Sequence, residues 1–314
     1  MQMKSQNKVI NKKKSLAKSW QENKYLYLLC LPGLLYLILF KYLPMKGILI
    51  AFQDYNIIEG ISGSKWVGFS HFARFFGGED FAKVFGNTLK ISLLQLLFGF
   101  PAPVLFAILL NELKDGRYKK CMQTISYLPH FLSWVVVAGM MTTFLSPSSG
   151  MVNAVIQALG GEPIYFMAEK EMFVPMLIIS AIWKEIGWGS VVYLAALSGI
   201  NAEIADAAAI DGASRLQKII YIFIPAIFPT IAIMLIMRMG TILDSGFDQI
   251  FNLYSPATYD VADVLDTYVY RMGVQGYQYG FSTAVGLFKS VVGIIMVLVT
   301  NTISKKLSEG EISI

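Results

Sequence analysis

The sequence is poor in charge, in cysteine and in histidine. Only 15% of its 314 residues are charged and 55% are hydrophobic, whereas an average soluble domain carries about 25% charge. Two cysteines, Cys30 and Cys121, lie in or beside apolar runs, which offers neither a disulfide framework nor a metal cluster. The two histidines, His71 and His130, are too few and too far apart for a ligand set. No GxxxxGK[ST] loop and no catalytic constellation occurs, so the sequence predicts no enzyme, no ATP site, no cofactor and no metal.

What the chain has instead is long apolar runs. Windows of about 20 residues predict spans of a membrane, and we expect an all-α membrane protein with six transmembrane helices. This gives a basic tail at 1–23, a six-span domain at 24–303 and a C-terminal tail at 304–314. The predicted spans lie near residues 24–43, 88–110, 122–145, 173–198, 219–243 and 280–303.

The basic residues predict the orientation of these spans. Fifteen lysines and arginines lie in the two tails and in the loops on the same side, and seven lie in the much longer loops of the opposite side. The positive-inside rule then places both termini, and the polar loop at 201–225, in the cytoplasm. The excess of basic residues is thereby explained by a membrane-lipid environment, and the sequence predicts no nucleic-acid partner.

A polar, alanine-rich stretch from Asn201 to Pro225 separates the fourth and fifth predicted spans. Asn201 is placed to cap a helix that has acids in its first turn and alanines in its body. Gly212 predicts a left-handed stop, and Ser214 can cap a second helix leading into the next span. Because side chains this small let another protein approach the backbone, the stretch suits docking.

The residue order of this stretch resembles a known motif. Asp206-Ala207-Ala208 is followed after three residues by Gly212 and after nine more by Ile222-Phe223-Ile224-Pro225. This resembles the EAA loop of the membrane subunits of binding-protein-dependent ABC importers, with Asp206 where Glu is usual and Ile224 where Leu is usual. Segments 66–69, 246–254, 266–271 and 279–290 resemble the carbohydrate branch and, within it, the LplB-like permeases of poly- and oligosaccharides.

The resemblance implies a type I ABC importer permease fold in a bacterial plasma membrane, together with a set of partners. A second, similar permease subunit would complete the pathway, two cytoplasmic ATPases would bind the EAA-type loops, and an extracellular sugar-binding lipoprotein would deliver the solute. ATP hydrolysis is expected on the separate ATPase subunits. The residues expected to couple this chain to them are Glu203, Asp206, Ala207, Ala208, Asp211, Gly212 and Pro225.

Charged residues within the apolar spans point to a solute path. A charge at the centre of a membrane helix costs about 2.5 to 3.5 kcal/mol on the insertion scale, so its usual place is a bundle interior or a wet cavity. Lys184 and Glu185 are adjacent, which predicts that they face different sides and do not pair. Aromatic rings beside a donor suit sugar rings, and interhelical packing is the alternative role. The candidates are Trp134, Trp183, Lys184, Trp188, Arg238 and Asp244.

Three functions therefore compete. The first is a permease subunit that forms half of the pathway of an ATP-driven importer of an oligosaccharide or polysaccharide fragment. The alternative is a secondary transporter or channel driven by an ion gradient, for which the intramembrane charges argue. A sensory or assembly protein is the third, and it gives no reason for charges in several spans.

Overall fold

A computed structural model describes residues 16–307, and most of them are helical. The strands in that range form one two-stranded antiparallel hairpin, β1 (Gln53–Asp54) and β2 (Lys65–Trp66). The sixteen α-helices of the described residues are α1 (Leu16–Leu37), α2 (Gly60–Gly63), α3 (Ser70–Gly77), α4 (Glu79–Leu94), α5 (Pro101–Asn111), α6 (Arg117–Tyr127), α7 (Trp134–Phe144), α8 (Met151–Ala158), α9 (Lys170–Ser198), α10 (Ala202–Ile210), α11 (Arg215–Lys218), α12 (Ile224–Gly240), α13 (Phe247–Leu253), α14 (Tyr259–Ala262), α15 (Leu265–Tyr270) and α16 (Tyr279–Leu307).

Tighter or wider helical turns continue several of these helices. The 3₁₀ segments are Leu43–Phe52 and Leu128–Phe131, and the π-helical segments are Ile38–Tyr42, Gln95–Gly99, Ile219–Phe223 and Arg271–Gln275. Two of the π segments lie at the proline-containing starts of α5 and α12, one residue before α5 and directly before α12. A wider turn at these points accommodates a residue that lacks a backbone N–H.

Five continuous helical stretches are long and apolar enough to cross a membrane. They are Asn23–Phe52, Glu79–Asn111, Lys170–Ser198, Arg215–Gly240 and Tyr279–Ile303. Helices satisfy their own backbone hydrogen bonds, which is why such apolar runs fold this way in lipid. The predicted all-α membrane fold is confirmed, whereas the orientation of the termini stays a prediction. Of the two predicted tails, residues 1–15 and 308–314 lie outside the described residues.

The third predicted span, 122–145, is not one continuous helix. Arg117–Phe131 and Trp134–Phe144 meet at a bend of 102°, so the count reaches six only if this pair is one broken span. The apolar window did not predict this break, which occurs because Leu132 and Ser133 have an extended backbone and Ser133 starts a new helix, its hydroxyl accepting the N–H of Val136 at 3.4 Å. A serine cap of this kind fixes a helix start.

The chain divides into two units, residues up to Leu49 and residues from Ile50 onward. In the first unit, the apolar side chains from Tyr25 to Leu43 are exposed, as expected of a helix that meets lipid or another protein. In the second unit, three apolar clusters form the core. The first joins α9 to α13 and α14, the second joins α3, α4, α15 and α16, and the third joins α5, α9 and the start of α12.

Helix α9 packs closely on its neighbours because glycines on its surface lack a Cβ. A Cβ at Gly187 would lie 2.1 Å from the backbone oxygen of Ser126 in α6, and one at Gly189 would lie 2.9 Å from the ring of Pro103 in α5. Close approach of this kind is typical of helix packing in membranes, where small residues line the contact. Helix α9 is therefore the centre on which α5 and α6 are positioned.

Ion pairs join α4, α9 and α14 near the start of α9. The carboxylate of Asp260 accepts hydrogen bonds from Lys83 and from Lys170, each at 2.5 Å. The hydrogen bonds from Lys170 and Lys83, with the charges of the two ammonium groups, lower the pKa of Asp260 from its ordinary value to about 2. Asp260 is thus ionised at any physiological pH.

Candidate functional site

The loop at 201–225 folds as two capped helices. The side-chain oxygen of Asn201 accepts the N–H of Glu203 at 3.0 Å, which caps α10. Ser214 caps α11 through a reciprocal pair with Gln217, in which the Gln217 N–H reaches the serine hydroxyl at 3.3 Å and the Ser214 N–H reaches the Gln217 side chain at 2.8 Å. The caps predicted from the sequence are confirmed.

Gly212 ends α10 in the way its sequence position predicts. Its φ is +81°, in the left-handed region. The N–H of Gly212 donates to the carbonyl of Ala209 at 3.2 Å, and the N–H of Ala213 donates to the carbonyl of Ala208 at 2.9 Å. These two bonds together are a Schellman motif, which closes the last carbonyls of a helix and turns the chain sharply.

Helix α10 presents small side chains at the surface. None of its residues is buried, and Ile210 at its end is 87% exposed. Ala205 packs against the third apolar cluster and so fixes the helix to the bundle. Of the residues predicted to couple the chain to ATPases, Ala208 is half-buried, and the exposed ones are Glu203, Asp206, Ala207, Asp211, Gly212 and Pro225.

A separate cavity of 560 Å³ lies among α5, α9, α12 and the first residue of α7. This volume is in the usual range of small-molecule sites, about 300 to 1,000 Å³. Three of the residues predicted from sequence for a solute path, Trp134, Arg238 and Asp244, line it together. Trp183 lines a different, apolar cavity of 610 Å³, beside α7 and the start of α9.

Two glutamines fix the polar wall of the 560 Å³ cavity. The side-chain oxygen of Gln95 accepts a hydrogen bond from Nη2 of Arg238 at 2.8 Å, and its nitrogen donates to the carbonyl of Ser245 at 3.3 Å. Gln249 donates to the carbonyl of Leu177 at 2.7 Å and to a serine hydroxyl in α9 at 2.9 Å. Each amide therefore has a fixed orientation where it meets the cavity.

Lys184, Glu185 and His130 form a cluster beside this cavity. Lys184 is only 5% exposed, and its ammonium donates to the backbone carbonyl of His130 at 2.7 Å and to Glu185 at 3.3 Å. The other carboxylate oxygen of Glu185 lies 2.8 Å from Nδ1 of His130. The prediction that Lys184 and Glu185 do not pair was wrong, because both long side chains bend toward the same residue, His130.

Aromatic rings complete this cluster. Trp188 stacks on the His130 ring, with centroids 4.8 Å apart and planes at 6°, and the ammonium of Lys184 lies 5.6 Å from the Trp134 ring. Glu185 lines the 560 Å³ cavity, whereas Lys184 and Trp188 do not. Of the residues predicted for a solute path, these two are therefore outside the lining of that cavity.

Asp244 is held by a second set of charges. Its carboxylate pairs with Lys289 of α16, and the same ammonium pairs with Asp266 of α15 at 2.5 Å. One lysine thus joins the end of α12 to α15 and α16. The carboxylate of Asp244 meets the cavity with its charge already paired.

Sequence reasoning missed three polar residues of the cavity wall, Gln95, Gln249 and Glu185, although Glu185 was noted as an intramembrane acid. A usable signal existed for Gln95, since a polar side chain within an apolar run is a functional candidate by default. Within residues 16–307, no group of three or more His, Cys, Asp or Glu residues could hold a metal ion.

Comparison with known proteins identifies what this arrangement resembles. Residues 95–309 match the family described as the binding-protein-dependent transport system inner membrane component. The chain is similar to Protein LplB of Bacillus subtilis strain 168, with 47% identity over 92% of this chain and 91% of the relative. It is also similar to the polygalacturonan/rhamnogalacturonan transport system permease protein YteP of the same organism, with 43% identity over 95% and 93%.

Two solved structures of transport proteins are also similar to this chain. The fold matches a chain in the crystal structure of a bacterial ABC transporter that imports the acidic polysaccharide alginate, with a TM-score of 0.86, 45% identity, and 93% of this chain and 98% of that chain covered. It also matches a chain of the bacterial alginate ABC transporter in complex with an alginate pentasaccharide-bound periplasmic protein, with a TM-score of 0.88, 43% identity, and coverage of 95% and 99%.

Proposed function

The chain belongs to the family of binding-protein-dependent transport system inner membrane components, which makes it a multi-pass permease of ABC importers in a bacterial plasma membrane, and from that premise we propose the rest of its function. It forms half of the transmembrane pathway for an oligosaccharide or polysaccharide fragment. Two of the similar proteins support this substrate class, since YteP is named as a polygalacturonan/rhamnogalacturonan transport permease and one of the solved transporters imports alginate.

The observation that carries the proposal is the geometry of α10. A helix of small, exposed side chains, capped at both ends and fixed to the bundle through Ala205, is a rigid surface on which another protein can dock. We place this helix in the cytoplasm, in contact with an ATPase subunit. Closure of the ATPases on ATP then moves α10, and the movement passes through the third apolar cluster into α5, α9 and α12, which surround the cavity.

The partners follow from this arrangement. One chain supplies one wall of a path, so a second, homologous permease supplies the other, and two ATPase subunits bind the two coupling loops. An extracellular sugar-binding lipoprotein delivers the solute. The alginate transporter in complex with its solute-bound periplasmic protein supports this last partner by analogy.

Ala207 tests the docking surface, since it is exposed on α10. In a reconstituted complex of both permeases, both ATPases and the binding protein, Ala207→Trp should abolish solute uptake and reduce co-purification of the ATPases. Its control is Ala207→Ser, which keeps the side chain small and should retain both. Wild-type uptake and co-purification in Ala207→Trp would contradict the proposal.

Transport driven by an ion gradient is the rival. If uptake in membrane vesicles continued without ATP and stopped on addition of an ionophore, the rival would be correct. The coupling proposal requires the opposite result, uptake that depends on ATP and survives the ionophore.

A further inference from the structure

The charges on the wall of the 560 Å³ cavity differ in how they are paired. The carboxylate of Glu185 has Lys184 and His130 as partners, and the carboxylate of Asp244 has Lys289. Arg238 is the exception. Its guanidinium is hydrogen-bonded to the neutral amide of Gln95, and it forms no ion pair among residues 16–307.

An arginine in this setting retains its charge. The guanidinium does not lose its proton in proteins, and a cation within a membrane-spanning helix is costly unless water or an anion meets it. Arg238 is half-buried on α12 and reaches the cavity, where one of its five N–H donors is used by Gln95. The remaining donors form a planar fork of the shape that a carboxylate fits with two parallel hydrogen bonds.

We propose that Arg238 is a specificity-determining residue that binds the carboxylate of an acidic, uronate-containing oligosaccharide in the cavity. This inference rests on the proposed importer function and deepens it by naming the substrate class. Trp134 lines the same cavity, and an indole ring suits contact with the apolar face of a sugar ring. Because Glu185 and Asp244 on the same wall already have cationic partners within the chain, the guanidinium of Arg238 is the wall charge that a substrate carboxylate can pair with.

Gln95 is a positioning residue in this scheme. Its side-chain oxygen holds Nη2 of Arg238 at 2.8 Å, and its nitrogen is anchored on Ser245. Gln95→Glu would place a carboxylate where the amide oxygen is now. The guanidinium would then be neutralised from within the protein, without any change to Arg238.

The test measures the uptake of two sets of trisaccharides that are similar in shape and differ in charge, in the complete reconstituted importer. The first is a mixture of galacturonate and alginate trisaccharides, and the second is the same trisaccharides as methyl esters, which have no charge. We expect the wild type to import the acids. We expect Arg238→Gln and Gln95→Glu each to lower the ratio of acid uptake to ester uptake about tenfold or more, the range of a lost charge-assisted hydrogen bond. Arg238→Lys should fall in between, since it keeps the charge and loses the fork.

Arg74→Gln is the matched control. Arg74 is also an arginine with a neutral contact, the ring of Phe281 at 4.5 Å, but it is exposed on α3 and does not line the cavity. Its substitution should leave the acid-to-ester ratio unchanged. Because the same binding protein serves every variant, its own preference cancels from the comparison.

The outcomes separate the two proposals. If the wild type imports the esters or a neutral arabinotriose and not the acids, or if Arg238→Gln lowers acid and ester uptake alike, the acidic-substrate inference is overturned while the importer function stands. If the wild type imports no oligosaccharide of any kind, the proposed function itself fails. Selective loss in both Arg238→Gln and Gln95→Glu supports the inference.

Discussion

Replacing Gly212 by alanine should destabilise the C-terminal end of helix α10 by a calculable amount. Gly212 has a φ of +81°, and no atom lies within 4 Å of the position that a Cβ would occupy. The cost is therefore backbone strain alone, about 1 to 2 kcal/mol for an L-residue in the left-handed region. Alanine has less conformational freedom than glycine in the unfolded chain, and this offsets about 0.4 to 1 kcal/mol of the strain. A net loss of about 1 kcal/mol remains, which changes the opening equilibrium about fivefold.

Amide hydrogen exchange measures this opening directly. In the reconstituted chain, the N–H groups of Gly212 and Ala213 close the Schellman motif, so exchange at residues 212 and 213 should rise about fivefold when position 212 is alanine. Asparagine adopts the left-handed region more readily than alanine. Gly212→Asn is therefore the control and should stay close to the wild type. Equal exchange rates in the alanine and asparagine variants would refute the reasoning, since both lack glycine and only one suits the backbone.

Two further predictions concern stability. Gly187→Ala should strongly lower the melting temperature and the membrane yield, because its Cβ would lie 2.1 Å from a backbone oxygen of α6. Gly286→Ala is the control and should change little, since no atom lies within 4 Å of its Cβ position. Equal melting temperatures of the two variants would contradict the close packing at Gly187. For Asp260, the folded-state pKa of about 2 lies below the unfolded value of about 3.9, so its ion pairs stabilise the fold above pH 4 and lose that effect as the pH falls toward 2. The difference in melting temperature between the wild type and Asp260→Asn should accordingly be constant from pH 7 to about 4 and decrease below about pH 4. A difference that disappeared near neutral pH would contradict the lowered pKa of Asp260.

The positions of the long apolar helices could be predicted from the sequence because lipid demands long apolar runs, and those of the two helices in the loop at 201–225 because helix caps are local. Asn201, Gly212 and Ser214 each act within a few residues of chain, so their residue types alone determine the turn. The break before Trp134 was missed because an average over about 20 residues does not register two extended residues, Leu132 and Ser133.

The cavity wall was less predictable because its partners are far apart in the chain. Arg238 and Gln95 are separated by 143 positions, and nothing local to either indicates the other. Lys184 and Glu185 were misread for a related reason. Helical geometry fixes the direction of each Cβ, but the ends of long side chains follow the partner that tertiary structure brings to them, which here is His130.

The bend between Arg117–Phe131 and Trp134–Phe144 alters how mutations at Lys184 should be interpreted. The end of a helix leaves carbonyl oxygens without an intrahelical N–H partner, and Lys184 donates a hydrogen bond to the one at His130, beside this bend. A screen for transport-defective mutants will therefore recover Lys184 as a folding mutant. Loss of uptake at this lysine would report on the integrity of the bent helix pair and not on the choice of solute.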